Sequence, residues 1–123
     1  MTNKKKILIA ESSKILIIVL KNILESKNYE VIICRDGFDA LKTILSSKPD
    51  CVLADKVLPT IEGIQLCSLL KMGYELNDIP FILFSAEDDN SDFWINNSHA
   101  DDFIYLDVKN IEVVPEHIEK LLT

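Results

Sequence analysis

The sequence predicts one α/β domain, a five-stranded parallel sheet wound on both faces with helices. Three observations predict it. Short apolar runs alternate with longer amphipathic stretches along the chain, five of each. The runs are apolar without strict alternation, as in Cys51-Val52-Leu53-Ala54, which reads as strands buried on both faces. Three of them end in polar residues, and the carboxyl edge of an open α/β sheet is where such folds hold their ligands. Right-handed crossovers make the arrangement doubly wound.

Each element follows in chain order. Ile7 to Ala10 is a short strand closed by Glu11-Ser12-Ser13, and Ser12 or Ser13 can cap the helix that follows. Leu16, Leu20, Ile23 and Leu24 set the helical spacing over about 14–27. Tyr29 to Cys34, rich in β-branched residues, is a second strand. Asp36-Gly37 is a turn, and Phe38, Leu41, Ile44 and Leu45 share a face of the next helix. The third strand runs into Asp55, with Pro59 and Gly63 punctuating the chain after it. A helix from about Glu62 to Met72 buries Ile64, Leu66, Cys67 and Leu70, and Gly73 stops it. Phe81 to Phe84 is a fourth strand, ended by Ser85-Ala86. A polar stretch and a short helix around Phe93 to Asn97 follow, then a fifth strand, Phe103 to Leu106. Val113 to Leu122 is the last helix, with Pro115 in its first turn.

Composition bounds the function. The 123 residues make a single domain spanning 1–123, 48% hydrophobic and 27% charged. Twenty acidic residues against 13 basic ones leave a net charge of −7. That excludes a basic nucleic-acid footprint and disfavours an anionic membrane surface. Lys4-Lys5-Lys6 before an apolar run is no signal peptide, because Glu11 and Lys14 interrupt the run. The longest apolar run, Ile15 to Leu20, is too short to span a bilayer. Cys34, Cys51 and Cys67 lack metal-ligand spacing and read as buried small hydrophobes of a reducing, cytoplasmic protein. His99 and His117 read as surface residues, with no ligand spacing between them.

Glu11 and Ser12, Asp55 and Ser85 all fall at the carboxyl ends of parallel strands, so they converge. With the Asp55…Pro59…Gly63 spacing, Ser85-Ala86 after Ile-Pro-Phe-Ile-Leu-Phe, and Ala100-Asp101-Asp102-Phe103, the chain resembles the receiver domains of two-component response regulators. The resemblance covers Lys6 to Leu122. It implies a flavodoxin-like fold with strand order 2-1-3-4-5. It implies that Asp55 is a phosphoacceptor, loaded by a histidine kinase or a phosphotransfer protein. Glu11, Asp55 and the Val57 backbone carbonyl are then ligands of Mg²⁺, a hard cation suited to oxygen. Ser85 is the hydroxyl that bonds the phosphoryl oxygen, and Phe103 is the aromatic switch.

Two departures stand out. The family's second acid after strand one is Ser12 here, so Mg²⁺ binding should be weak. The family's lysine after strand five falls on Leu106, and Asp107 replaces the proline that follows it. Lys14, Lys56 and Lys109 are candidate replacements, although Lys56 follows Asp55 directly and should face the other way.

Two functions therefore stay open: a receiver phosphorylated on Asp55, and an atypical receiver that acts as an unphosphorylated interaction module. An enzyme is not expected. A hydrolase would want a second acid where Val57 stands, and a flavin carrier would not place Glu11 in its phosphate loop. Ile15 and Ile18 exceed what one helix face buries and offer a surface for a second copy or an output domain. The helix of Trp94 is the other candidate partner surface.

Overall fold

The computed structural model describes residues 3–87 and 96–123. The strands are β1 (Lys6–Ala10), β2 (Glu30–Cys34), β3 (Cys51–Asp55), β4 (Phe81–Ser85) and β5 (Asp102–Tyr105). They form one sheet in the order β2-β1-β3-β4-β5, every neighbouring pair parallel. The helices are α1 (Lys14–Ser26), α2 (Gly37–Ser47), α3 (Gly63–Ser68) and α4 (Val113–Leu122), and residues 96–98 are also helical. Among the described residues no helix is long and apolar enough to cross a membrane.

Alternating strand residues feed two cores. Leu8, Ala10, Val52, Ala54, Phe81 and Leu83 pack with Ala40 and Ile44 of α2 and Leu66 and Cys67 of α3. Ile7, Ile9, Cys51, Leu53, Ile82 and Phe84 pack on the opposite face with Leu20 and Leu24 of α1 and Val114 and Ile118 of α4. Period-two strands covered on both sides are therefore apolar at every position, which is why β1, β3 and β4 read as unbroken runs. All three cysteines are buried free thiols. Burial pushes Cys51 and Cys67 up to about 12, so both behave as apolar filling.

Several boundaries differ from expectation. β2 begins at Glu30, one residue after Tyr29, and β5 covers Asp102–Tyr105, so Leu106 lies just beyond it. Asp36 is the N-cap of α2, its carboxylate accepting from the Asp39 N–H at 2.9 Å. Phe38 is exposed, with Lys42 over its ring at 4.9 Å, and Gly37, Ala40 and Ile44 form the buried stripe instead. The cause is a close approach: a Cβ on Gly37 would lie 1.9 Å from the Ile61 carbonyl oxygen, so α2 turns its glycine to the chain and its phenylalanine outward. Of the short helix expected around Phe93 to Asn97, Phe93 and Trp94 lie outside the described residues.

The helix after Pro59 is shorter than predicted. α3 ends at Ser68 and continues as a π-helical turn, Leu69–Gly73, closed by the Tyr74 N–H on the Leu69 carbonyl at 2.9 Å. Gly73 lies inside this turn, and Ile64 is only half-buried. The extra residue turns Lys71 inward. Its ammonium donates to Asp101 and to the Ile79 carbonyl, each at 2.8 Å.

The turn after β3 is fastened to α2. The Gly37 N–H donates to the Pro59 carbonyl at 3.0 Å, and the Phe38 N–H donates to the Thr60 hydroxyl at 2.9 Å. That hydroxyl donates in turn to Asp36 at 3.1 Å. Thr60 holds a φ of 66°, a left-handed conformation unusual for a β-branched residue.

Candidate functional site

Strand register assembles the site. Ala10 of β1 lies between Cys34 of β2 and Ala54 of β3, and Asp55 pairs with Phe84 of β4. The next residues along the edge are Arg35, Glu11 and Asp55, side by side, and Ser85 ends the fourth strand one residue beyond Phe84. The sheet thus sets the Glu11 and Asp55 carboxylates against each other and ends β4 at Ser85 on the same edge.

Glu11 is 1% exposed. Its backbone N–H continues the ladder to the Cys34 carbonyl at 3.0 Å. One carboxylate oxygen accepts from the N–H groups of Ser12 and Ser13, at 3.1 and 2.9 Å. The other, Oε2, is buried and has no hydrogen-bond partner. Burial, and then contact with the Asp55 carboxylate, pushes Glu11 up to about 8. Ser13, one of the two expected caps, starts α1 by accepting from the Leu16 N–H at 3.4 Å.

Asp55 is half-buried, and its Oδ1 accepts from the Val57 N–H at 3.0 Å. The chain then turns sharply. The Lys56 N–H donates to Phe84 at 2.8 Å, and the Lys56 carbonyl accepts from Gly63 at 3.0 Å. A Cβ on Gly63 would stand 2.2 Å from the Asp55 carbonyl oxygen, so only glycine closes the turn. The Val57 side chain points to solvent. Ser85 is buried, and its hydroxyl accepts from the Glu87 N–H at 3.0 Å. Phe103 is half-buried against the α2–α3 core, its backbone beside Leu83.

The departures are visible too. Ser12 brings no carboxylate, and among the described residues no group of three or more His, Cys, Asp and Glu could hold a metal ion. Leu106 is buried in the α1–α4 core, its N–H bonded to Ser85 at 2.8 Å, so its side chain is structural. Asp107 caps a turn, accepting from the Lys109 N–H at 2.6 Å. A metal nevertheless suits the residues present. Two facing carboxylates, one with an orphaned buried oxygen, call for a cation or a shared proton, and hard oxygen donors match Mg²⁺.

Three contacts here were missed from sequence. Arg35 donates from Nη2 to the Ser12 carbonyl at 2.9 Å, which brings a cation onto the loop carrying Glu11. The buried Lys71 forms an ion pair with the partly exposed Asp101. His117, expected at the surface, is half-buried and bonded through Nδ1 to Asp102, next to Phe103. Only Ala100-Asp101-Asp102-Phe103 carried a signal for these contacts.

Comparison with known proteins agrees with this architecture. The family described as "Response regulator receiver domain" matches residues 7–114. The alkaline phosphatase synthesis transcriptional regulatory protein PhoP of Bacillus subtilis is 33% identical over 88 residues, 72% of this chain and 36% of that protein. The chain spans about a third to a half of the length of the first curated relatives it matches. The receiver domain of a signal transduction histidine kinase from Syntrophus aciditrophicus superposes with TM-score 0.85 and 33% identity, over 96% of this chain and 89% of that one. The response regulator TrrA of Thermotoga maritima, solved with Mg²⁺-BeF, gives TM-score 0.85 and 27% identity, over 96% and 99%.

Proposed function

The chain belongs to the response regulator receiver domain family, and from that membership we propose that it is a single receiver unit over 1–123 that takes a phosphoryl group on Asp55. One observation carries the assignment: a buried Glu11 carboxylate with an unpartnered oxygen beside Asp55, at the edge where four parallel strands end.

The donor is a phosphohistidine on a kinase or phosphotransfer protein, met in the cytoplasm. An Asp55 oxygen attacks phosphorus, forming an O–P bond. The N–P bond breaks, and its electron pair stays on the imidazole nitrogen. Glu11, Asp55 and the Val57 carbonyl would hold Mg²⁺, which when bound neutralises charge on the phosphoryl oxygens. The bond from the Val57 N–H holds the Asp55 carboxylate in one orientation. The Ser85 hydroxyl donates to a phosphoryl oxygen, and Phe103 follows its movement. The role is that of a signalling switch and not of an enzyme with turnover. Ile15 and Ile18, 69% and 58% exposed, offer a surface on α1 for a second copy or an output domain.

A second reading rests on Ser12 and Leu106. With one acid fewer and a buried leucine for the family's lysine, the chain would act as an unphosphorylated binding module. Intact-mass spectrometry after incubation with a small phosphodonor and Mg²⁺ separates the two. A phosphoryl adduct absent from Asp55→Asn supports the switch. No adduct on the wild type sinks it in favour of the binding module.

A further inference from the structure

The Asp55 reading leaves a shortage of positive charge. A phosphoryl group would arrive at a site with two carboxylates, with Leu106 folded into the core where the family has a lysine. Lys71 is committed to Asp101 and the Ile79 carbonyl. Lys56 follows Asp55 directly, and adjacent strand residues leave opposite faces.

Arg35 is differently placed. It lies one residue beyond Cys34, as Glu11 lies beyond Ala10 and Asp55 beyond Ala54, three residues paired in register. Those three pack into the α2–α3 core, so Arg35, Glu11 and Asp55 leave the other face of the sheet together. Two strand spacings separate Arg35 from Asp55, roughly 10 Å between their Cα atoms. The side chain already leans inward to the end of β1, where its Nη2 rests on the Ser12 carbonyl at 2.9 Å. The guanidinium is solvent-exposed, so it can move without leaving a buried site. Its planar fork matches phosphoryl oxygens better than an ammonium does.

We propose that Arg35 is the phosphoryl-binding cation of this site, moving from the Ser12 carbonyl to an oxygen of the group on Asp55. The proposal rests on the Asp55 reading and makes a demand that a loop-holding role does not. A cation beside Glu11 attracts the phosphoryl group and repels Mg²⁺. Its removal must therefore shift the two affinities in opposite directions.

The test uses the full chain with Arg35→Gln and Arg35→Lys, each checked for an unchanged thermal transition. Calorimetry measures Mg²⁺ binding alone, then beryllofluoride binding at saturating Mg²⁺. Arg35→Gln should weaken beryllofluoride about tenfold, the loss of one charge-assisted hydrogen bond, while Mg²⁺ binds as well or tighter. Arg35→Lys should fall between. Beryllofluoride affinity within about twofold of wild type overturns the proposal, at the scale of a solvated surface charge. A parallel loss of both ligands also overturns it, because Arg35 would then only hold the loop. In both cases the wild type still binds beryllofluoride, so the Asp55 reading stands. If the wild type binds neither ligand, that reading fails and the Arg35 proposal fails with it.

Discussion

Replacing Lys71 by methionine should destabilise the protein by about 3 kcal/mol, because it removes the hydrogen bonds of a buried ammonium while keeping its volume. The Lys71 side chain is 4% exposed and that of Asp101 36%. The substitution strands the Ile79 carbonyl, now bonded to the ammonium at 2.8 Å, at about 1–3 kcal/mol. It also removes a charge-assisted bond to Asp101, worth about 1.5–3 kcal/mol before discount. Asp101 is a third exposed and keeps its bond from the Phe81 N–H at 2.8 Å, so water recovers part of that second contribution. Urea unfolding of wild type and Lys71→Met would read the difference, with a melting temperature lower by roughly 10 °C. The double variant Lys71→Met with Asp101→Asn removes both charges and should recover about 1 kcal/mol or more. A Lys71→Met protein within about 0.5 kcal/mol of wild type would refute the account, as that is the scale of an ordinary surface change. So would single losses that simply add in the double variant.

Gly63→Ala should cost about 2–3 kcal/mol and slow adduct formation on Asp55, since its Cβ would meet the Asp55 carbonyl oxygen at 2.2 Å. Denaturation and intact mass read the two effects separately. In chelator-treated protein, Glu11 makes stability fall with rising pH. Its folded pKa is raised, so its contribution is full below the ordinary carboxylate range and is lost as pH passes through about 8. Urea midpoints at pH 5 and pH 8.5 should show that decline, flattened in Glu11→Gln and reduced by Mg²⁺, which favours the ionised form. Ile18→Glu should leave stability within about 0.5 kcal/mol, because the side chain is mostly solvated. Light scattering and partner pull-down would show weakened association if α1 is a docking face, and unchanged association would remove that role.

The fold was legible because burial on both faces writes itself as unbroken apolar runs, and Cys51 to Ala54 showed it best. Glu11, Asp55 and Ser85 were legible because each follows such a run directly. Lys71 was not. Nothing local marks it, and its partner Asp101 lies 30 residues away. The π-helical turn that aims it inward left only an ordinary helical pattern ending at a glycine. Phe38 misled because aromatic bulk suggests core, while the approach of Gly37 to Ile61 decided which stripe of α2 faces inward. Arg35 escaped notice because a charged residue at a strand end looks solvated. Only pairing β2 with β1 puts it beside Ser12.

The fastening of the β3–α3 turn to α2 makes two distant stretches of chain one transferable part. Asp36 and Thr60 stand 24 residues apart, yet they share a hydrogen bond. The Ile61 backbone passes where a Cβ on residue 37 would be, so only glycine fits there. A chimera that imports residues 56–62 from another receiver while keeping the native start of α2 would therefore import half of a joint. Recombination boundaries that respect this molecule lie before β2 or after α3, with everything between exchanged as a block.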